Sequence, residues 1–149
     1  MSVVSSQRGE AKAQFLADTK KALLMTYRMT AKFPKNYRWQ ILDSMLELAN
    51  KAYDEVRYAN EYYICKSSVQ SEYEQRKIHL QEARGALSAL SSKISLLYEI
   101  IDDGTNFLGS KEKYSKQFAV WTELVTTAKS RIVALIKSDV KHWEQVKSC

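Results

Sequence analysis

The stretch Leu42-Asp-Ser-Met-Leu-Glu-Leu-Ala-Asn-Lys-Ala-Tyr-Asp-Glu-Val-Arg-Tyr-Ala-Asn-Glu-Tyr-Tyr63 decides the fold class. Its residues Leu42, Met45, Ala49, Ala52, Val56, Ala59 and Tyr63 follow one another at steps of 3-4-3-4-3-4 with no polar intruder. One face of an α-helix recurs every 3.6 residues, so this rhythm predicts a helix with a single core-facing stripe. The same steps recur in Leu80, Ala83, Leu87, Leu90, Ile94, Leu97 and Ile101, and again in Tyr114, Phe118, Trp121, Val125, Ala128, Ile132 and Leu135. A looser set precedes them: Phe15, Thr19, Ala22 with Leu23, Thr26 with Tyr27, and Thr30.

Punctuation between these stripes sets the boundaries. The first helix is expected over about Ala11 to Lys32, where Pro34 breaks it, and the second from Lys35 or Asn36 to about Cys65. Ser71 with Glu74 fits a capping box for a third helix ending near Asp103, with Gly104 as its stop. Ser110 suits the N-cap of a fourth, whose pattern fades after Ser138. Residues 1–10 are then a flexible N-terminal segment, 11–138 the bundle, and 139–149 a weak helical extension or loose tail carrying Trp143 and Cys149. Stripes at near-heptad spacing pack at shallow angles, and short connections make successive helices antiparallel. The expected fold is all-α, an antiparallel up-down-up-down four-helix bundle.

Composition agrees. Four glycines and one proline in 149 residues leave little turn-making material for a β-sandwich or an α/β sheet, and a hydrophobic content of 45% supplies a core. Two cysteines, Cys65 and Cys149, make no disulfide framework. With no signal-peptide pattern and no apolar run near the ~20 residues of a bilayer span, a cytoplasmic protein without membrane contact is expected.

The net charge of +6 is unevenly placed: +5 over residues 1–35, −1 over 36–69, −2 over 70–104 and +4 over 105–149. In an up-down bundle the first and fourth helices are neighbours, so the two basic elements lie side by side. On the first, Lys21, Arg28, Lys32 and Lys35 fall within about 60° of one another at 100° per residue. On the fourth, Lys113, Lys116 and Arg131 point away from the core stripe. Such a face can bind phosphates, and an ordinary solvated helix surface would carry the same residues. The corner Lys32-Phe33-Pro34-Lys35-Asn36-Tyr37-Arg38-Trp39 adds Arg38 and interleaves cations with rings, a pattern suited to base stacking. It equally suits a corner stapled by Phe33 and Trp39.

The third helix carries a second apolar set, Ile78, Gly85, Ala89, Leu96 and Ile100, opposite its core stripe. A helix apolar on two sides is buried on both, which points to a subunit interface; scattered surface aliphatics are the plainer alternative. Gly85 costs about 1 kcal/mol against Ala inside a helix, so it is expected to admit a close approach.

Catalytic signatures are missing. Neither His79 nor His142 follows a Glu at three residues' distance, and there is no Cys-x-x-Cys or His-Glu-x-x-His. Gly104 to Lys111 has Ser and Lys in the wrong order for a phosphate loop, and Asp102 and Asp103 are adjacent, so they point apart. No enzyme activity, metal or cofactor is expected.

In order and spacing, the chain resembles the accessory variability determinant proteins of diversity-generating retroelements. Phe33-Pro34-Lys35 opens the second helix, followed by Tyr37-Arg38 and Ile41-Leu42. The third helix ends Leu96-Leu97-Tyr98-Glu99-Ile100-Ile101-Asp102-Asp103. Leu108-Gly109-Ser110-Lys111 precedes Tyr114 and Trp121. The resemblance covers roughly residues 20–138. It differs where the family often closes its last helix with Gly-Trp, since Leu135-Ile136-Lys137 stands here. Bundle proteins encoded in ribosomal RNA intervening sequences share Phe-Pro-Lys, but their Asn-x-x-Glu-Gly is replaced by Ala49-Asn50-Lys51-Ala52-Tyr53. The resemblance implies a basic homopentamer that binds a reverse transcriptase and its template RNA or DNA and supports mutagenic copying. A self-contained structural or regulatory bundle, such as a phage adaptor, is the rival class.

Overall fold

The computed structural model describes residues 3–62, 64–65, 70–102 and 108–147, with the side chains of 3–13 and 102 excepted. It is an all-α four-helix bundle: α1 Val3–Thr30, a π-helical turn Arg38–Leu42 leading into α2 Asp43–Asn60, α3 Gln70–Asp102 and α4 Lys111–Lys147. Each helix packs on two others, α1 on α2 and α4, α3 on α2 and α4. Across α1 and α4 the partners are Asp18–Arg131, Thr26–Trp121 and Lys32–Gln117, in opposite chain order. Opposite order also governs α2 and α3, through Lys51–Glu82 and Glu55–His79, and α3 and α4, through Arg76–Asp139 and Tyr98–Ser115.

The core is the set of stripes read from the sequence. Met45, Ala49, Ala52, Val56 and Ala59 of α2, Leu80 to Ile101 of the α3 set, and Tyr114 to Ile132 of the α4 set are all buried. On α1 the buried face is partly hydroxylic. Thr19, Thr26 and Thr30 are buried and donate to the carbonyls of Phe15, Ala22 and Thr26, four residues back. This back-bonding is how a threonine hydroxyl tolerates a helix interior. Thr26 Oγ1 also accepts a hydrogen bond from Trp121 Nε1 at 3.0 Å, deep between α1 and α4.

Several boundaries differ from expectation. α1 begins at Val3, before Ala11. The second helix ends at Asn60 rather than near Cys65, and its first turn is π-helical, leaving Lys35 in the corner rather than on α1. Ser71 is inside α3, so it does not cap it, whereas Ser110 does cap α4 by accepting from the Lys113 amide at 3.3 Å. Gly109, just ahead of that cap, takes φ +103°, a left-handed conformation that glycine adopts without strain. Tyr63, Asp103, Gly104 and Cys149 lie outside the described residues.

The largest difference is at the C-terminal side. Helix α4 continues past Ser138 to Lys147, because polar groups replace the apolar stripe. Arg76, 3% exposed, places Nε 2.6 Å and Nη2 3.3 Å from the two Asp139 oxygens and donates Nη1 to the carbonyls of Ala59 and Tyr62. Tyr73 stacks on Trp143 with centroids 5.1 Å apart, and His142 Nε2 donates to the Ile64 carbonyl at 2.7 Å. A single guanidinium thus ties the C-terminal end of α2, the first turns of α3 and the last turns of α4.

Two outcomes follow from this junction. Removing one member of a buried ion pair strands the other, so Arg76→Ala should lose about 3 kcal/mol in urea unfolding and fray the α4 end in hydrogen exchange. Burial, aided by the carboxylates of Asp139 and Glu144, raises the Tyr73 pKa above 10.0. A folded-state pKa above the unfolded value favours folding below pH 10 and loses that contribution as pH climbs through the raised value. Stability should therefore fall above about pH 10, and less so in Tyr73→Phe.

Candidate nucleic-acid interface

Burial of the threonine face of α1 against Trp121 turns the opposite, charged side of α1 to solvent beside α4. Lys21, Arg28, Lys32, Lys35, Arg38, Lys113, Lys116 and Arg131 are all exposed. Lys32 Nζ donates to Gln117 Oε1 at 2.8 Å. That bond marks the seam; antiparallel register places Arg28 one turn along it, near Val120, and Lys113 one turn the other way, while Lys35 stands in the corner beyond the end of α1. Arg28, Lys32 and Lys113 therefore share one flank, with Lys35 in the corner at the same end of the bundle.

The other four stand apart: Lys21 lies further back along α1, Arg38 opens the π-helical turn, and Lys116 and Arg131 are on α4. Lys116 points further outward and meets Glu112 at 3.6 Å, an exposed pair within one helix that holds it weakly. Arg131 Nε lies 3.1 Å from Asp18 Oδ2, while Gln14 Nε2 donates to Asp18 Oδ1. Asp18 is only 7% exposed, and its Oδ2 has no aligned hydrogen bond, so the arginine supplies its countercharge. Arg131 is committed to structure at the far end of the seam. Asp18 signalled this in the sequence: an acid flanked by Phe15 and Thr19 on a core-facing stripe needs a cation from the neighbouring helix.

The corner separates its aromatic residues. Phe33 is buried, edge-on to Phe118 with centroids 6.3 Å apart, and Tyr37 sits half-buried, edge-on to Phe33. Phe33 is the staple. Trp39 is not: it is 89% exposed, next to exposed Arg38 in the π-helical turn that buries Ile41 and Leu42. Its amphipathic position was ambiguous in the sequence because a π turn shifts which side chains face inward.

On α3, Ile78, Leu96 and Ile100 are 49%, 49% and 40% exposed, Gly85 is exposed and Ala89 half-buried. They form an outer stripe as expected. Gly85 does not serve a close approach within this chain, since nothing lies within 4 Å of where its Cβ would be. Between α3 and α4 runs a groove of about 610 Å³, with Ile94, Phe118 and Ala119 along its apolar part and Glu99 and Glu123 among its polar lining. His79 is held by Glu55 and stacks on Tyr62. Among the described residues no group of three or more His, Cys, Asp or Glu could hold a metal ion, and no helix is long and apolar enough to cross a membrane.

No protein-family model, curated protein or solved structure matches this chain.

The Asp18–Arg131 contact gives a direct measurement. Arg131→Glu sets a second carboxylate against a buried one, and thermal unfolding should show a loss of about 1–3 kcal/mol. Adding Asp18→Asn should return most of it.

Proposed function

We propose that this protein is a non-enzymatic accessory of a retroelement reverse transcriptase, binding nucleic acid through the α1/α4 flank and assembling as a homo-oligomer, a pentamer by the resemblance. The observation that carries the nucleic-acid part is the exposed group Arg28, Lys32 and Lys113 along one seam, with exposed Lys35 in the corner at its end. A cationic strip draws phosphate by counterion release, without base readout, and tolerates many sequences. Trp39 beside Arg38 offers a stacking surface for an unpaired base at the same corner. The outer stripe of α3 supports self-association, and repetition of the flank in a ring multiplies its field. The polymerase as partner, the template RNA or DNA as ligand and the cytoplasm as location rest on the resemblance.

Binding of a structured RNA should weaken linearly in log–log plots against salt. Each phosphate contact contributes a slope of about 0.9, so Arg28→Glu with Lys32→Glu should lower affinity about 60-fold at 100 mM salt, with helix content unchanged. Glu47→Gln or Asp54→Asn, on α2, should do little. Undiminished binding by the double reversal would overturn the nucleic-acid reading and favour a structural bundle. Assembly is read separately: Ala89→Glu should dissociate the oligomer, because an unpaired charge is costly at a buried interface.

A further inference from the structure

The α3–α4 groove has an apolar floor, Ile94, Phe118 and Ala119, between two exposed carboxylates, Glu99 and Glu123. No ion pair among the described residues engages either carboxylate. The α1–α2 corner is its chemical complement: an indole 89% exposed, flanked by exposed Lys35 and Arg38, which also have no ion-pair partner among the described residues. Tryptophan and arginine are among the residues enriched as interface anchors, and a groove of this size and lining suits an indole. The π-helical turn Arg38–Leu42 buries Ile41 and Leu42 while presenting Trp39 outward, and π turns concentrate at functional positions.

Position reinforces chemistry. Lys51 pairs with Glu82 across α2 and α3. Trp39 is twelve residues before Lys51 and Ile94 twelve after Glu82, so in antiparallel register the indole and the groove lie at one level of the bundle. They belong to different flanks, the corner to α1 and α2, the groove to α3 and α4. We infer that Trp39 and Arg38 of one copy dock into the α3–α4 groove of a second copy, with the indole on the Ile94–Phe118 floor and the guanidinium at one of the two carboxylates that lie toward opposite ends of that floor, Glu99 or Glu123. The contact is head-to-tail: each copy offers one anchor and one groove. With neighbouring bundle axes parallel, level surfaces add no climb along the axis, the condition for closing a ring rather than growing a screw filament. Leu96, adjacent to groove residue Ser95, borders the receiving surface.

This inference deepens the self-association proposed above and depends on neither nucleic acid nor polymerase, so its test uses assembly alone. In sedimentation equilibrium at micromolar concentration, the full chain should exceed a dimer. Trp39→Ala, which removes the anchor, and Ala119→Trp, which fills the groove, should each sediment as the 17.2 kDa monomer. Mixed, they should form a dimer and nothing larger, because the intact anchor of the Ala119→Trp copy meets the intact groove of the Trp39→Ala copy. A parallel pair avoids reliance on Ala119→Trp folding: Arg38→Glu should dissociate the assembly, and Arg38→Glu with Glu99→Arg and Glu123→Arg in one chain should restore it. A monomeric full chain, full assembly by Trp39→Ala, or no dimer from the mixture together with no restoration by the combined reversals would each overturn the inference, whatever the RNA measurements show.

Discussion

Everything exposed on the α1/α4 flank depends on one buried hydrogen bond, Trp121 Nε1 to Thr26 Oγ1. An indole N–H in a dry core must find an acceptor or cost about 1–3 kcal/mol. Thr26 satisfies it while giving its own proton to the Ala22 carbonyl. Leucine at position 26 would fill the space, yet it could not choose a register. The hydroxyl can, because it meets the indole at one offset only. Once that offset is set, Lys32 falls opposite Gln117 on one side of it and Asp18 opposite Arg131 on the other.

The two ends of the bundle are held by different physics. Around Phe118, Phe33, Tyr98, Tyr114 and Trp121 meet it edge-on or tilted with centroids 5.3 to 6.5 Å apart, an aromatic packing that needs few polar partners. At the other end Arg76 satisfies two carbonyls and one carboxylate at once. A guanidinium can be buried there because its donors are matched by fixed acceptors, and its five-donor fork makes lysine a poor substitute. At the aromatic end the packing spends no cation, whereas at the polar end Arg76 is buried in the junction itself.

Legibility followed the kind of force involved. Where burial was apolar, as in Met45 to Ala59 or Leu80 to Ile101, periodicity named the buried residues. It also named the buried threonines of α1, which keep the same rhythm; where burial was ionic or aromatic stacking replaced the stripe, it did not. Asp139, His142 and Trp143 keep α4 ordered past Ser138 through a guanidinium, a carbonyl and a ring stack, none of which hydrophobic spacing records. Arg131 is a surface cation by its exposure, and only the acid at Asp18, on the core side of α1, hinted that it is also a structural partner. The π-helical turn was hidden because an extra residue in a turn changes no composition. The outer stripe of α3 was legible as a pattern, and Gly85 within it meets nothing of its own chain within 4 Å.

The two proposed uses of the surface share α4 but not its sides. Residues of α4 that face α1, Lys113 and Gln117, border the cationic seam, whereas Ser115 and Thr122 line the groove beside α3. A nucleic acid on the first flank and a neighbouring copy on the second can therefore be held together. The corner is where they compete. An Arg38 seated against a groove carboxylate is neutralised and no longer attracts phosphate, while Arg28, Lys32 and Lys113 stay available. Assembly would then narrow the cationic surface of each copy to the seam itself and set those seams side by side around a ring. Charge lost at each corner is offset by repetition, since the field of several aligned strips adds over distances comparable to the ~8–10 Å screening length.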